Sequence, residues 1–187
     1  MLGRLHETLA AFMVVAVPEG FSGQQFDTAR ALAELDQVQR AIRADSTHGN
    51  RATRLLDAVA HKIGLLKATS VDHSAYGHLP RHTIHGDYHQ RNVLVDKQGD
   101  IAAVIDWEMV RVIPRVQELL RCITFSGLLD LPGHIAAFMS GYRTHVALSA
   151  AESAIGVDLW WQLRLHSTSA YRTVSRRRPT CSSVSRR

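Results

Sequence analysis

The sequence predicts an α+β fold, mostly helical, with one small β-hairpin, and three observations carry that prediction. Apolar residues recur at helical spacing through most of the 187-residue chain. Between Asn92 and Ile105 the pattern changes to two apolar, largely β-branched runs, Asn92-Val93-Leu94-Val95 and Ile101-Ala102-Ala103-Val104-Ile105. The five residues between them, Asp96-Lys97-Gln98-Gly99-Asp100, are rich in turn formers, so the runs pair as a hairpin.

Taken in order, Leu2, Leu5, Leu9 and Phe12 place an amphipathic helix over residues 2–13. The apolar run over residues 9–17 resembles a signal-peptide core, but His6 and Glu7 stand where such a peptide carries only positive charge, and no small-residue cleavage site follows. Residues 18–25, with a Pro and two Gly, form a loop. Asp27 caps a helix carrying Ala29, Leu32, Leu35, Val38 and Ile42, and Asn50 caps another carrying Leu55, Leu56, Val59, Ile63 and Leu66. Lys62 reads as surface, and residues 71–80 as a loop. Beyond the hairpin, residues 110–113 lead into Pro114, which suits the first turn of a helix holding Val116, Leu119, Leu120 and Ile123. Residues 132–145 form a further helix. Ser149-Ala150-Ala151-Glu152 is a capping box opening the last one, on which Ile155, Leu159, Leu163 and His166 share a face.

Composition narrows the function classes. The pI near 9.7 invites a nucleic-acid reading, yet six of the 22 Lys and Arg lie in residues 170–187, which hold no acid. The remaining 16 bases face 17 acids, so no folded face carries the charge that tracking a phosphate backbone requires. Neither nucleic acid nor a membrane is an expected partner, since no apolar run reaches spanning length. Cys122 and Cys181 form no disulfide framework, which fits a cytoplasmic location. The polar tail over 170–187 is expected to be disordered.

The chemistry concentrates in residues 84–108. A hairpin returns the chain to its start, so Asn92 and Asp106 belong side by side, with Asp87 on the loop just before them. Two hard-oxygen ligands beside a free carboxylate suit Mg²⁺ held against a polyphosphate, with the carboxylate left to take a proton from a hydroxyl. The plainer alternatives are a turn aspartate and a hairpin-end hydrogen bond. Zinc on His82, His85 and His89 would need a helical spacing that Gly86 and its β-like neighbours oppose.

His85-Gly86-Asp87, followed by four residues and Asn92, has the spacing of a kinase catalytic loop, and Ile105-Asp106-Trp107 stands where a kinase places its metal-binding Asp. With Gly in the second position and His89 two residues beyond the Asp, the chain resembles the aminoglycoside phosphotransferase and choline kinase-like superfamily. That resemblance implies the C-terminal lobe of a protein-kinase-like fold over residues 1–169, with ATP or GTP as phosphoryl donor and a small-molecule alcohol as acceptor. It implies Asp87 as base, Mg²⁺ on Asn92 and Asp106, and His89 near the transferring phosphoryl, against a plain loop histidine. His85 is expected to bond backbone near the metal Asp.

Gly3-Arg4-Leu5-His6 resembles the helix that follows the hinge between lobes, and Pro114-Arg115 with Glu118-Leu119 resembles a segment in which Glu118 anchors backbone or Arg. A departure stands beside the match. The three Lys and the sparse Gly20-Phe21-Ser22-Gly23 supply neither a strand Lys nor a phosphate loop, so the N-terminal lobe is expected to be absent and activity of this chain low. The alternative is a remnant acting at most as a binding module.

Overall fold

The computed structural model describes residues 1–11, 26–45 and 49–171. The expected loop over residues 18–25, the last residues of the first expected helix and nearly all of the basic tail lie outside them. In chain order the elements are α1 (Leu2–Ala10), α2 (Thr28–Ala44), α3 (Asn50–Ala68), α4 (His73–Gly77), β1 (Arg81–Ile84), β2 (Val93–Val95), β3 (Ile101–Val104), β4 (Arg111–Pro114), α5 (Arg115–Phe125), α6 (Pro132–Arg143) and α7 (Ala150–His166). The described residues fall into two compact units: 1–11 with 72–161, and 26–45 and 49–71 with 162–171.

The second unit is a helical pair. Ala31, Leu35, Val38 and Ile42 of α2 recur every three or four residues and pack with Val59 and Leu66 of α3 and with Leu165. Asp27 caps α2 as its sequence position predicts, its Oδ1 accepting from the Arg30 N–H at 2.8 Å. Gly49, not Asn50, occupies the cap of α3; it takes φ 47, which glycine adopts freely. Lys62 does more than face solvent: its Nζ donates to the carbonyls of Arg164 (3.0 Å) and Ser167 (2.6 Å), closing the end of α7.

The first unit holds every candidate site residue. Two antiparallel two-stranded sheets organise it: β2 with β3, in register Val93↔Val104, and β1 with β4, in register Ile84↔Arg111. The β2–β3 pair is the expected hairpin. Its turn is tied by Asp96, whose Oδ1 accepts from the Gln98 and Asp100 N–H groups, each at 2.9 Å, and Gly99 takes φ 87.

The β1–β4 pair corrects the sequence reading. Residues 111–114 are a strand, and the helix begins after Pro114 because Ile113 and Val112 find partners in His82 and Thr83. Residues 71–80 hold α4, capped by Asp72 and anchored by buried Tyr76, which donates to Asp158. The capping box is half formed. The Glu152 N–H reaches Ser149 Oγ at 3.0 Å, but the Glu152 carboxylate turns away to grip Arg115 through two bonds of 2.8 Å.

Candidate active site

Strand β1 ends in buried Ile84 and delivers His85, Gly86 and Asp87 into a loop whose backbone is held from below. Glu118, 1% exposed in the first turn of α5, accepts from the His85 N–H at 3.1 Å and from the Gly86 N–H at 2.5 Å. His6 Nε2 of α1 lies 2.8 Å from the same carboxylate, and His6 Nδ1 meets the Tyr142 hydroxyl at 2.9 Å. A carboxylate taken out of water needs donors to replace it, and three converge here. Glu118 thus anchors backbone as the sequence reading expects, joined by His6 rather than by an Arg.

Gly86 sits at φ 84, and a Cβ there would run into the Met109 carbonyl oxygen. The loop therefore presses directly on the segment that follows Asp106. His85 completes the link. Its Nδ1 accepts from the Asp87 N–H at 3.2 Å, which leaves Nε2 as the N–H that donates to the Ile105 carbonyl at 2.9 Å. One buried imidazole so ties the Asp87 loop to the residue before Asp106.

Asn92 ends a 3₁₀ turn over Gln90–Asn92 and is buried. Its Nδ2 donates to the Asp87 carbonyl (2.9 Å) and to Asp87 Oδ2 (3.3 Å), while its own carbonyl accepts from the Ile105 N–H at 3.0 Å. Asn92 and Asp106 therefore share one end of the hairpin. His89 Nε2 lies 3.5 Å from Asp87 Oδ2, and Arg121 of α5 pairs with Asp87 Oδ1. Burial pushes the Asp87 carboxyl up, but the Arg121 hydrogen bond and charge, helped by His89 and Asn92, outweigh it and hold the group below the ordinary carboxylate range.

Asp106 differs. It is exposed, adopts the left-handed conformation (φ 66, ψ 62) that Asp and Asn tolerate best, and its carboxylate accepts no hydrogen bond from a described residue. With Asn92 Nδ2 spent on Asp87, the donors left at the hairpin end are Asn92 Oδ1 and the Asp106 carboxylate, two hard oxygens that fit Mg²⁺. Among the described residues no group of three or more His, Cys, Asp or Glu side chains is placed to hold a metal. Any further ligands would then come from phosphate and water.

The structure thus bonds Asn92 to Asp87, brings His89 within 3.5 Å of the same carboxylate, and links this cluster through His85 to Ile105, the residue before Asp106. Sequence reasoning missed Arg121. The signal was present in the helical spacing of Glu118, Arg121 and Phe125, which shares one stripe of α5, but nothing local said that Asp87 faces that stripe.

An Asp-bearing loop and an Asp-ended hairpin, hung on a mostly helical scaffold, define a kinase-like lobe. The chain belongs to the phosphotransferase enzyme family, whose family model matches residues 1–151. Among solved structures it is similar to an aminoglycoside-3'-phosphotransferase of type VIII (20% identity, 89% of this chain and 58% of that one, TM-score 0.44). It is also similar to the aminoglycoside phosphotransferase APH(3'')-Id from Streptomyces rimosus ATCC10970 (15% identity, 88% of this chain and 59% of that one, TM-score 0.47). The chain therefore spans less than two thirds of the length of either. No curated protein matches it. No helix among the described residues is long and apolar enough to cross a membrane.

Proposed function

We propose that this chain is the catalytic and substrate lobe of a small-molecule O-phosphotransferase that moves the γ-phosphoryl of ATP or GTP to an alcohol. The observation that carries the reading is the bonded cluster of Asp87 and Asn92, joined through His85 to the hairpin end that bears Asp106. Asp87 orients the acceptor hydroxyl and takes its proton. His85, locked with its proton on Nε2, fixes the distance between the Asp87 loop and Asp106. Asn92 Oδ1 and the Asp106 carboxylate would hold Mg²⁺, which when bound offsets the charge of the donor phosphates. His89, beside Asp87, faces the transferred group as a donor.

The test is transfer of a radiolabelled γ-phosphoryl to a panel of alcohols. Asp87→Asn is expected to lower kcat by about 10² to 10⁴. Unchanged turnover in that variant would refute the assignment of the base.

A further inference from the structure

Both oxygens of the Asp87 carboxylate are engaged: Arg121 takes Oδ1, while Asn92 Nδ2 and His89 Nε2 lie 3.3 and 3.5 Å from Oδ2. A guanidinium held on one oxygen lowers the proton affinity that a general base needs. Release of that partner when an acceptor binds would restore it.

Arg121 is the partner least satisfied where it stands. Its Nε is buried without a hydrogen-bond acceptor, although a guanidinium carries five donors. Its Cζ lies over the Phe125 ring, 4.4 Å from the centroid. Phe125 in turn lines a cleft of about 260 Å³ with His89, Gln90 and Arg91. Among the described residues that lining offers a guanidinium, an imidazole, an amide and an aromatic face, and no carboxylate. Arg111 of β4 is close enough to Arg121 and Asp87 to feel both charges, and its Nε is likewise buried without an acceptor. Arg91 in the cleft and Arg111 and Arg121 beside Asp87 bring three guanidiniums to this region, while the Glu118 carboxylate is already committed to His6 and the loop backbone.

We propose that the cleft receives an anionic group, a carboxylate or phosphate, on the same small molecule whose hydroxyl is phosphorylated, and that Arg121 passes from Asp87 to that group as the hydroxyl takes its place. The exchange keeps Arg121 paired with an anion and leaves Asp87 hydrogen-bonded. Arg121 trades one anion for another, in the bidentate geometry guanidiniums favour, and Asp87 trades a guanidinium for a hydroxyl donor. A neutral alcohol leaves Arg121 on the base, and a polycation meets like charge in the cleft. The proposal rests on Asp87 being the base, so it is tested by binding without nucleotide, where its failure leaves that assignment untouched.

The measurement is the Arg121 Nε–Hε resonance of the ¹⁵N-labelled chain, titrated with glycerol 3-phosphate, glycerol, spermidine and inorganic phosphate. Glycerol 3-phosphate should move it with a Kd near or below about 1 mM, while glycerol and spermidine leave it in place. Arg121→Met should weaken binding, followed by calorimetry, about tenfold or more. Arg91→Gln, at an exposed position outside the core, should weaken it about fivefold with folding intact. Three results would each overturn the proposal: no response to glycerol 3-phosphate, equal binding by spermidine, or an unchanged Kd in Arg91→Gln. Inorganic phosphate binding as tightly as glycerol 3-phosphate would overturn it too, by assigning the cleft to the transferred phosphoryl group.

Discussion

Asp87 and Asp106 stand at the two ends of one His85 bridge, yet their surroundings are opposites. Asp87 is partly buried, receives Arg121, Asn92 and His89, and sits on a loop whose backbone is pinned by a buried glutamate. Asp106 is exposed, with its carboxylate bound by no described residue. The difference teaches which chemistry each end can serve. A proton acceptor must be held in one direction and kept ionised, and fixed donors do both. A metal ligand must keep its lone pairs open, and lack of protein partners does that.

The contrast is broken most severely by removing what pins the Asp87 end. Glu118→Ala leaves His6 and two backbone N–H groups buried without their acceptor, and should cost about 3 to 5 kcal/mol in urea unfolding. A loss below about 1 kcal/mol would show that the loop does not depend on this carboxylate. Gly86→Ala adds a Cβ at positive φ against the Met109 carbonyl, and thermal unfolding should record a loss of about 3 kcal/mol.

A smaller effect is expected from acid. The Asp87 carboxyl is depressed in the folded state, so its contribution to stability is present above the ordinary carboxylate value and is lost as pH falls through the folded value. Arg121→Met should remove most of that acid dependence, measured as a flatter curve of urea midpoint against pH below about 5. The smallest change belongs to the open end: Asp106→Asn should alter stability by no more than about 0.5 kcal/mol, because the site is exposed and Asn accepts the left-handed conformation. A large loss there would mean that Asp106 has a structural partner after all.

How much of this is legible in the sequence depends on how local each interaction is. The hairpin could be read because its strands and turn are contiguous and each residue type agrees with its place. The α2 and α3 cores could be read from spacing alone. By contrast, β1 and β4 are four residues each and pair across the whole of residues 85–110, and their edges carry Arg81 and Arg111, so nothing in either run fixes its period. The half-formed capping box was misread because Arg115, distant in sequence, outbids the Ser149 N–H for Glu152. Arg121 was missed for the same reason: its role exists only once α5 lies beside the Asp87 loop. The placing of the motif residues on one loop and one hairpin end was legible, and the groups packed around them were not.

The claim on which the account turns is that the hairpin end, and not the packed end, is where a divalent ion would sit. Paramagnetic Mn²⁺ added with nucleotide to the ¹⁵N-labelled chain tests it most directly. The Asn92 side-chain amide and the backbone of Asp106 should broaden first, and Asp106→Asn should abolish the effect while leaving the remaining spectrum in place. Broadening centred elsewhere, or persisting undiminished in Asp106→Asn, would contradict the account.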